Sequence, residues 1–153
     1  MVLDKIDSKI LALLQKRADR SIADIAQEVG LSTTPCWRRI QAMEKAGIIK
    51  RRVALLDRKA LGLNVDVFVQ IRTRNHDISA MTTLSEKISD FEEVVGFYRM
   101  AGDMDYLLHV VVPDIPAFDA FYKALIARVS LDDVSSSFAM EEIKYTTALP
   151  LPK

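Results

Sequence analysis

The chain has 153 residues, half of them apolar, with 21 Lys+Arg balanced by 21 Asp+Glu. A single cysteine, Cys36, excludes a disulfide within the chain, and the apolar run 106–112 is too short to cross a bilayer. The opening residues Met1-Val2-Leu3-Asp4-Lys5 do not read as a signal peptide, so a reducing, cytoplasmic location without membrane contact is expected. Zero net charge would argue against nucleic acid, but it hides a segregation. Residues 1–63 carry 13 basic against 7 acidic side chains, and residues 64–153 carry 8 against 14. Halves of opposite sign predict two domains with different partners, the basic one suited to phosphate.

In chain order, Leu3, Ile6, Ile10, Leu13 and Leu14 predict a first helix capped by Asp4. Ser21-x-x-Asp24 has the spacing of a capping box for a second, whose inner face is Ile22, Ile25, Ala26 and Val29. Gly30 makes a tight turn, and Ser32 caps a third helix that tolerates Pro35 in its first turn. At about 100° per residue, Cys36, Ile40, Met43 and Gly47 form the core stripe of that helix. Thr34, Arg38, Gln41 and Lys45 fall opposite, with Trp37 and Arg39 on the flanks. A short second helix, a glycine turn and a third helix with a basic outer face meet the requirement for laying a helix in a DNA major groove. A solvated helix in a small bundle is the bland alternative, and the charge segregation disfavours it. Cys36, on the core stripe, reads as a small buried hydrophobe rather than a reactive thiol. The β-rich run Ile48–Leu56, carrying Lys50, Arg51 and Arg52, predicts a short basic wing beside the groove. Residues Ser32, Thr33, Thr34, Trp37, Arg38, Arg39, Gln41, Lys45, Lys50, Arg51 and Arg52 are therefore the candidate contacts to double-stranded DNA.

A hinge is expected over 58–64, between domains at 1–57 and 65–153. Periodicity then turns to alternation. Val65, Val67, Val69 and Ile71 mark a strand, and Ile78, Met81, Leu84 and Ile88 a helix. Two strands, Val94–Met100 and Tyr106–Val112, flank the turn Ala101–Asp105. Ile115, Phe118, Tyr122, Leu125, Ile126 and Val129 mark a second helix capped by Asp114, and Ser135–Thr147 reads as a long final strand. The order βαββαβ predicts an α+β, ferredoxin-like antiparallel sheet with both helices on one face; its other face calls for a second subunit.

Catalytic chemistry is sparse. His76 and His109 stand alone, and His109, in an apolar strand, reads as a packed core residue. No Cys/His spacing suggests a metal, no phosphate-binding glycine motif appears, and no cofactor is expected. Glu141 and Glu142, successive strand residues, would point to opposite faces and could not work as an acid/base pair. The Gly102–Tyr106 turn and Ser135–Ser137 offer carboxylates, hydroxyls and amides that suit the two ends of an amino acid. A hairpin turn and an edge-strand serine run explain them equally well.

The whole chain resembles the Lrp/AsnC (feast/famine) transcription regulators. The resemblance runs through Leu3-Asp4-Lys5-Ile6-Asp7, Val29-Gly30-Leu31-Ser32-Thr33-Thr34-Pro35-Cys36, Ala54-Leu55-Leu56-Asp57 and Leu61-Gly62-Leu63, then Gly102–Leu108 and Met140-Glu141-Glu142-Ile143-Lys144. Residues 33–37, 136–140 and 144–147 look closest to the DecR/BkdR-like branch. The resemblance implies a winged helix-turn-helix followed by a RAM-type domain. It implies sheet-paired dimers, often assembled as octamers, on a pseudo-palindromic operator, with a nucleoid-associated location. It also implies a small amino acid, cysteine or branched-chain, held between dimers by Arg99, Met100, Gly102, Asp103, Met104, Asp105, Ile115, Ser136, Ser137, Phe138 and Ala139. A regulator rather than an enzyme is expected; the alternatives are a ligand-independent DNA-wrapping protein and a small ferredoxin-like monooxygenase.

Overall fold

The computed structural model describes residues 1–73 and 77–152, so His76 lies outside the described residues. They fall into two compact units, Met1–Leu55 with Lys144–Lys153, and Leu56–Ile143. Residues 144–153, which follow the second unit in sequence, group with the first unit.

The first unit holds three helices, α1 (Lys5–Lys16), α2 (Ile22–Val29) and α3 (Thr33–Lys45). Asp4 caps α1 by accepting from the Ile6 and Asp7 amides, both at 2.8 Å, and the Asp7 side chain returns the bond to the Asp4 amide at 3.1 Å. This reciprocal box satisfies amides that have no partner inside the helix. Ser21 caps α2 through the Asp24 amide at 3.1 Å. Gly30 ends α2 with φ +74°, a conformation that costs any residue with a Cβ, and the next amide, of Leu31, reaches back to the Ala26 carbonyl. Ser32 occupies the cap position of α3 without a side-chain bond.

Ile10, Leu11, Ile25, Ala26, Val29, Cys36, Ile40 and Met43 form the core of this unit. Three of the four residues on the α3 stripe are therefore buried. The fourth, Gly47, is exposed, because α3 closes at Lys45 and Ile48 and Ile49 turn back onto the Met43 carbonyl. The predicted wing strand is also absent. Among the described residues, no backbone–backbone hydrogen bond engages residues 50–56, and Val53, Leu55 and Leu56 are exposed. A strand exists only with a ladder partner, and within one chain this segment has none.

The second unit opens with a hydrogen-bonded turn where a hinge was expected. The Asp57 carboxylate accepts from the amides of Lys59 and Ala60, and Leu63 closes onto the Arg58 carbonyl. Then follow β1 (Val65–Arg72), α4 (Ile78–Ser89), β2 (Val94–Arg99), β3 (Tyr106–Val112), α5 (Ile115–Arg128) and β4 (Asp133–Phe138). Every pairing is antiparallel and the spatial order is β2-β3-β1-β4, the ferredoxin-like arrangement. Val67, Val69 and Ile71 of β1 and Tyr106, Leu108, Val110 and Val112 of β3 share one core with Leu84 and Ile88 of α4 and Phe118, Phe121 and Leu125 of α5.

Two strand expectations need correction. β4 stops at Phe138 instead of running to Thr147, because its partner β1 runs out: Val67 pairs with Phe138 and the Ala139 amide makes the last rung to Asp66. His109 is not a core residue. With Leu108 and Val110 turned to the helices, alternation sends His109 to the opposite face. There it stacks on Phe68 with ring centroids 4.8 Å apart and bonds Asp66 Oδ1 through Nε2 at 2.8 Å. Asp66 is also ion-paired to Arg58, whose guanidinium lies 3.9 Å from Glu142.

Candidate nucleic-acid interface and ligand site

On α3, burial of Cys36, Ile40 and Met43 leaves Thr33, Thr34, Arg38, Gln41 and Lys45 exposed, and Trp37, at 47 % exposure, stands beside them. Lys50 and Arg51 follow on the extended segment, both exposed. Glu44 organises part of this surface: it accepts from Gln41 Nε2 at 2.8 Å and from Arg52 Nη2 at 2.9 Å. Arg52 is thereby tethered to α3, whereas no ion pair engages Arg38, Lys50 or Arg51 among the described residues.

Arg39, also expected among the DNA contacts, is engaged by carboxylates of its own unit. Its Nη1 lies 2.7 Å from Asp4 Oδ2 and 2.7 Å from Asp7 Oδ1, and the Asp7 side chain is only 4 % exposed. These bonds, Asp7's first, hold the guanidinium proton more tightly than usual. The Asp4 carboxyl is pulled below its ordinary value, chiefly by the Asp7 amide and then by Arg39. Arg39 thus ties α3 to the start of α1. Beside it, burial pushes the Cys36 thiol up, against a smaller opposing pull from Arg39.

The second candidate site surrounds the turn between β2 and β3. The Met100 amide bonds the Asp105 carbonyl, the Asp105 amide bonds Ile71, and Arg72 Nε donates to the Asp103 carbonyl at 2.9 Å. Asp105 Oδ2 accepts from the Thr73 amide at 2.7 Å and the Thr73 hydroxyl at 3.3 Å. The Asp105 carboxylate is therefore built into the turn, and Gly102 (φ +139°) and Asp103 remain exposed at its tip.

Two cavities open at this end of the sheet. One, of about 600 Å³, is lined by Thr73, Thr83, Lys87, Tyr106, Ser130 and Asp132 among others. The second, of about 380 Å³, is lined by residues including Phe97, Arg99 and Glu86, and it shares Met81 and Tyr106 with the first. Of this lining, Arg99 and Tyr106 belong to segments singled out in the sequence. The rest comes from separate segments whose meeting no local pattern announces.

The expected ligand residues do not all meet within one chain. Tyr106, which follows the turn, is paired with Ile71 at one end of β1, while Phe138 pairs with Val67, about 13 Å away along the strand. Ile115 begins α5, beyond the far end of β3. Phe138 packs edge-on against Phe118 at 5.1 Å, with Ala139 next to it, while Ser136 and Ser137 pair with Val69 and Phe68 on the way between the two ends. One chain therefore separates these residues into two groups: Arg99–Asp105 at one end of the sheet, and Phe138, Ala139 and Ile115 at the other.

Comparison with known proteins places these features. Residues 3–50 match the winged helix-turn-helix DNA-binding family, and residues 66–149 match the Lrp/AsnC ligand-binding domain. The chain is 48 % identical to the DNA-binding transcriptional activator DecR of Escherichia coli K12, over 98 % of this chain and 99 % of that protein. It is 46 % identical to the glutamate uptake regulatory protein of Zymomonas mobilis, over 99 % and 92 %. Among solved structures, an AsnC family transcriptional regulator from Agrobacterium tumefaciens superposes with TM-score 0.95 at 60 % identity, covering 97 % of each chain. A transcriptional regulator from Neisseria meningitidis, solved as a complex with L-Met, superposes with TM-score 0.92 at 33 % identity and the same coverage. These relatives are transcriptional regulators, not enzymes. The chain belongs to the Lrp/AsnC family and is a DNA-binding transcriptional regulator with a ligand-binding domain.

Proposed function

We propose that the protein controls genes of amino-acid metabolism in response to a small amino acid bound by its second unit. The observation that supports this reading is that the expected ligand residues divide into two groups at opposite ends of one sheet, which we read as half-sites. Such halves meet only when a second chain supplies the missing one, so ligand and assembly are linked. Phe68, Val95 and Tyr98 are exposed on the second unit. Phe68 and Tyr98 lie on the sheet face away from the helices and mark it for pairing in a dimer. Dimers then join through the half-sites into an octamer. In the proposed site the turn amides at 102–104 take the ligand carboxylate and Asp105, braced on Thr73, faces the ammonium. The apolar walls at Met81, Phe97 and Tyr106 favour a sulphur-containing or branched side chain. The L-Met complex of the Neisseria relative supports this choice.

On the DNA side, Thr34, Trp37, Arg38, Gln41 and Lys45 enter the major groove of a pseudo-palindromic operator, with Ser32 and Thr33 at the phosphate-facing start of α3. Lys50, Arg51 and Arg52 contact phosphates. The protein works in the cytoplasm, at the nucleoid.

A thermal-shift screen of the twenty amino acids tests the ligand, since a molecule that binds only the folded state raises the melting temperature. At least one is expected to do so and to change operator affinity; no response at millimolar concentration overturns the sensor reading in favour of ligand-independent DNA wrapping. Arg38→Ala should weaken operator binding by about 1–3 kcal/mol. Replacing Lys50 and Arg51 should weaken binding to all sequences and flatten the salt slope by about one per contact.

A further inference from the structure

Residues 144–149 match the ligand-binding family in sequence, yet they pack with the DNA-binding helices. The contact is specific. The side-chain amide of Gln15 on α1 grips the backbone of Leu149 from both sides: Nε2 donates to its carbonyl at 3.1 Å and Oε1 accepts from its amide at 2.6 Å. The Ser8 hydroxyl donates to the Pro152 carbonyl at 3.2 Å, and Leu151 packs against the core formed by Ile10, Ile25 and Ile40. The spacing fits. Ser8 and Gln15, two helical turns apart, are separated by about 10 Å along α1, and residues 149–152 span about the same distance when extended. Pro150 and Pro152 lock the segment into that extended form and remove two backbone donors that would otherwise need partners. One face of α1 is thus a docking surface for an extended Leu-Pro-Leu-Pro segment.

We propose that residues 148–152 are a releasable strap, and that ligand-dependent movement of β4 reaches the recognition helix by drawing the strap off α1 or seating it there. The strap follows β4 after a link of nine residues, 139–147, and β4 carries Ser136, Ser137 and Phe138. At the other end of the path, α1 holds α3 through Asp4, Asp7 and Arg39. The hold is slight, one partly buried leucine and three hydrogen bonds, two of them on a single amide, so docked and released forms are close in free energy. The coupling of strap to ligand rests on the amino-acid reading above; the docking itself does not.

The test uses the full chain, Gln15→Ala, Leu151→Asp and a chain ending at Thr147. Because prolines occupy 150 and 152, Leu149 and Leu151 are the only amides of 149–152, and Leu149 alone is held by Gln15. Its hydrogen exchange should be about tenfold slower in the wild type than in Gln15→Ala. With the amino acid found by the thermal screen, the wild type should change its operator affinity about fivefold or more. Leu151→Asp and the shortened chain should change less than about twofold, while binding the amino acid as the wild type does. An undiminished response in the shortened chain, or equal Leu149 exchange in the wild type and Gln15→Ala, overturns the strap. If no amino acid alters wild-type DNA binding, the sensor reading fails alone. The strap then stands only if Leu149 is protected and Gln15→Ala shifts ligand-free operator affinity about threefold, and it falls otherwise.

Discussion

Replacing Arg39 by alanine should separate stability from DNA contact in this protein. In the native first unit, Arg39 is the cationic partner of Asp7, whose side chain is 4 % exposed, and also of Asp4. Removing it leaves the Asp7 carboxylate buried with its helix-cap bond to the Asp4 amide but without its counter-charge. Breaking a fully buried pair costs about 3–5 kcal/mol. The Arg39 side chain is about a third exposed, so water can enter the vacated space and lower the figure to about 2 kcal/mol. For a unit of this size that is a fall in melting temperature of roughly 8–16 °C. Urea unfolding of full-length Arg39→Ala and Arg38→Ala, followed by helix signal, measures both. Arg39→Ala should lose the larger stability while its remaining folded fraction binds operator within about twofold of wild type; Arg38→Ala should do the reverse. An Arg39→Ala protein as stable as wild type but unable to bind DNA would refute the structural role and return Arg39 to the groove.

Three further outcomes follow from the same unit. Asp4 has its carboxyl held below the ordinary 3.8, by the Asp7 amide first and Arg39 second, so its ionised form contributes stability in full above that value and loses it as pH falls through the lower folded value. Asp4→Asn, which can still cap, should flatten the fall in melting temperature below about pH 4 and leave the curve near neutrality shifted but parallel; an unchanged acid limb would exclude this linkage. Cys36, fully buried and with its thiol pushed up, should react with a thiol reagent only as fast as the first unit opens, so labelling should accelerate with urea in step with unfolding, and burst labelling in native buffer would contradict the burial. At Gly30 an added Cβ meets open space, so Gly30→Ala tests the backbone alone: about 1 kcal/mol of lost stability by chemical denaturation is expected from φ +74°, and no loss would mean the turn relaxes.

The legible parts of the fold were those written locally. Caps at Asp4, Ser21 and Asp114, the alternation of Val65 to Ile71, and the 3.6-residue stripe of Cys36, Ile40 and Met43 depend on neighbours a few residues away, and each appears where the sequence put it. What was illegible depends on distant partners. The helical wheel places Arg39 on a flank of α3, but its orientation is decided by Asp4 and Asp7, more than thirty residues earlier. The 48–56 run has strand composition, yet composition cannot supply the ladder partner that makes a strand. The end of β4 is set by where β1 stops, which its own sequence does not show, and the apolar run around His109 does not say which alternate residues face the helices. The exposed face of α3, set by one helix's periodicity, is therefore readable from the sequence, whereas the cavities beside Tyr106, assembled from several segments, are not.

The grouping of residues 144–152 with α1 has a consequence for how the chain comes to be made. Ser8 and its partner Pro152 stand 144 residues apart, so the DNA-binding unit is discontinuous and the ligand-binding unit is inserted within it. On the ribosome the three helices are made before the sheet, but the face of α1 that takes residues 148–152 stays uncovered until the whole of the sheet has been synthesised and those residues have followed it. A chain interrupted anywhere in the second half presents a reading head without its closing segment. Completion of the DNA-binding unit is in this way a report that the ligand-binding unit between its two parts has been built.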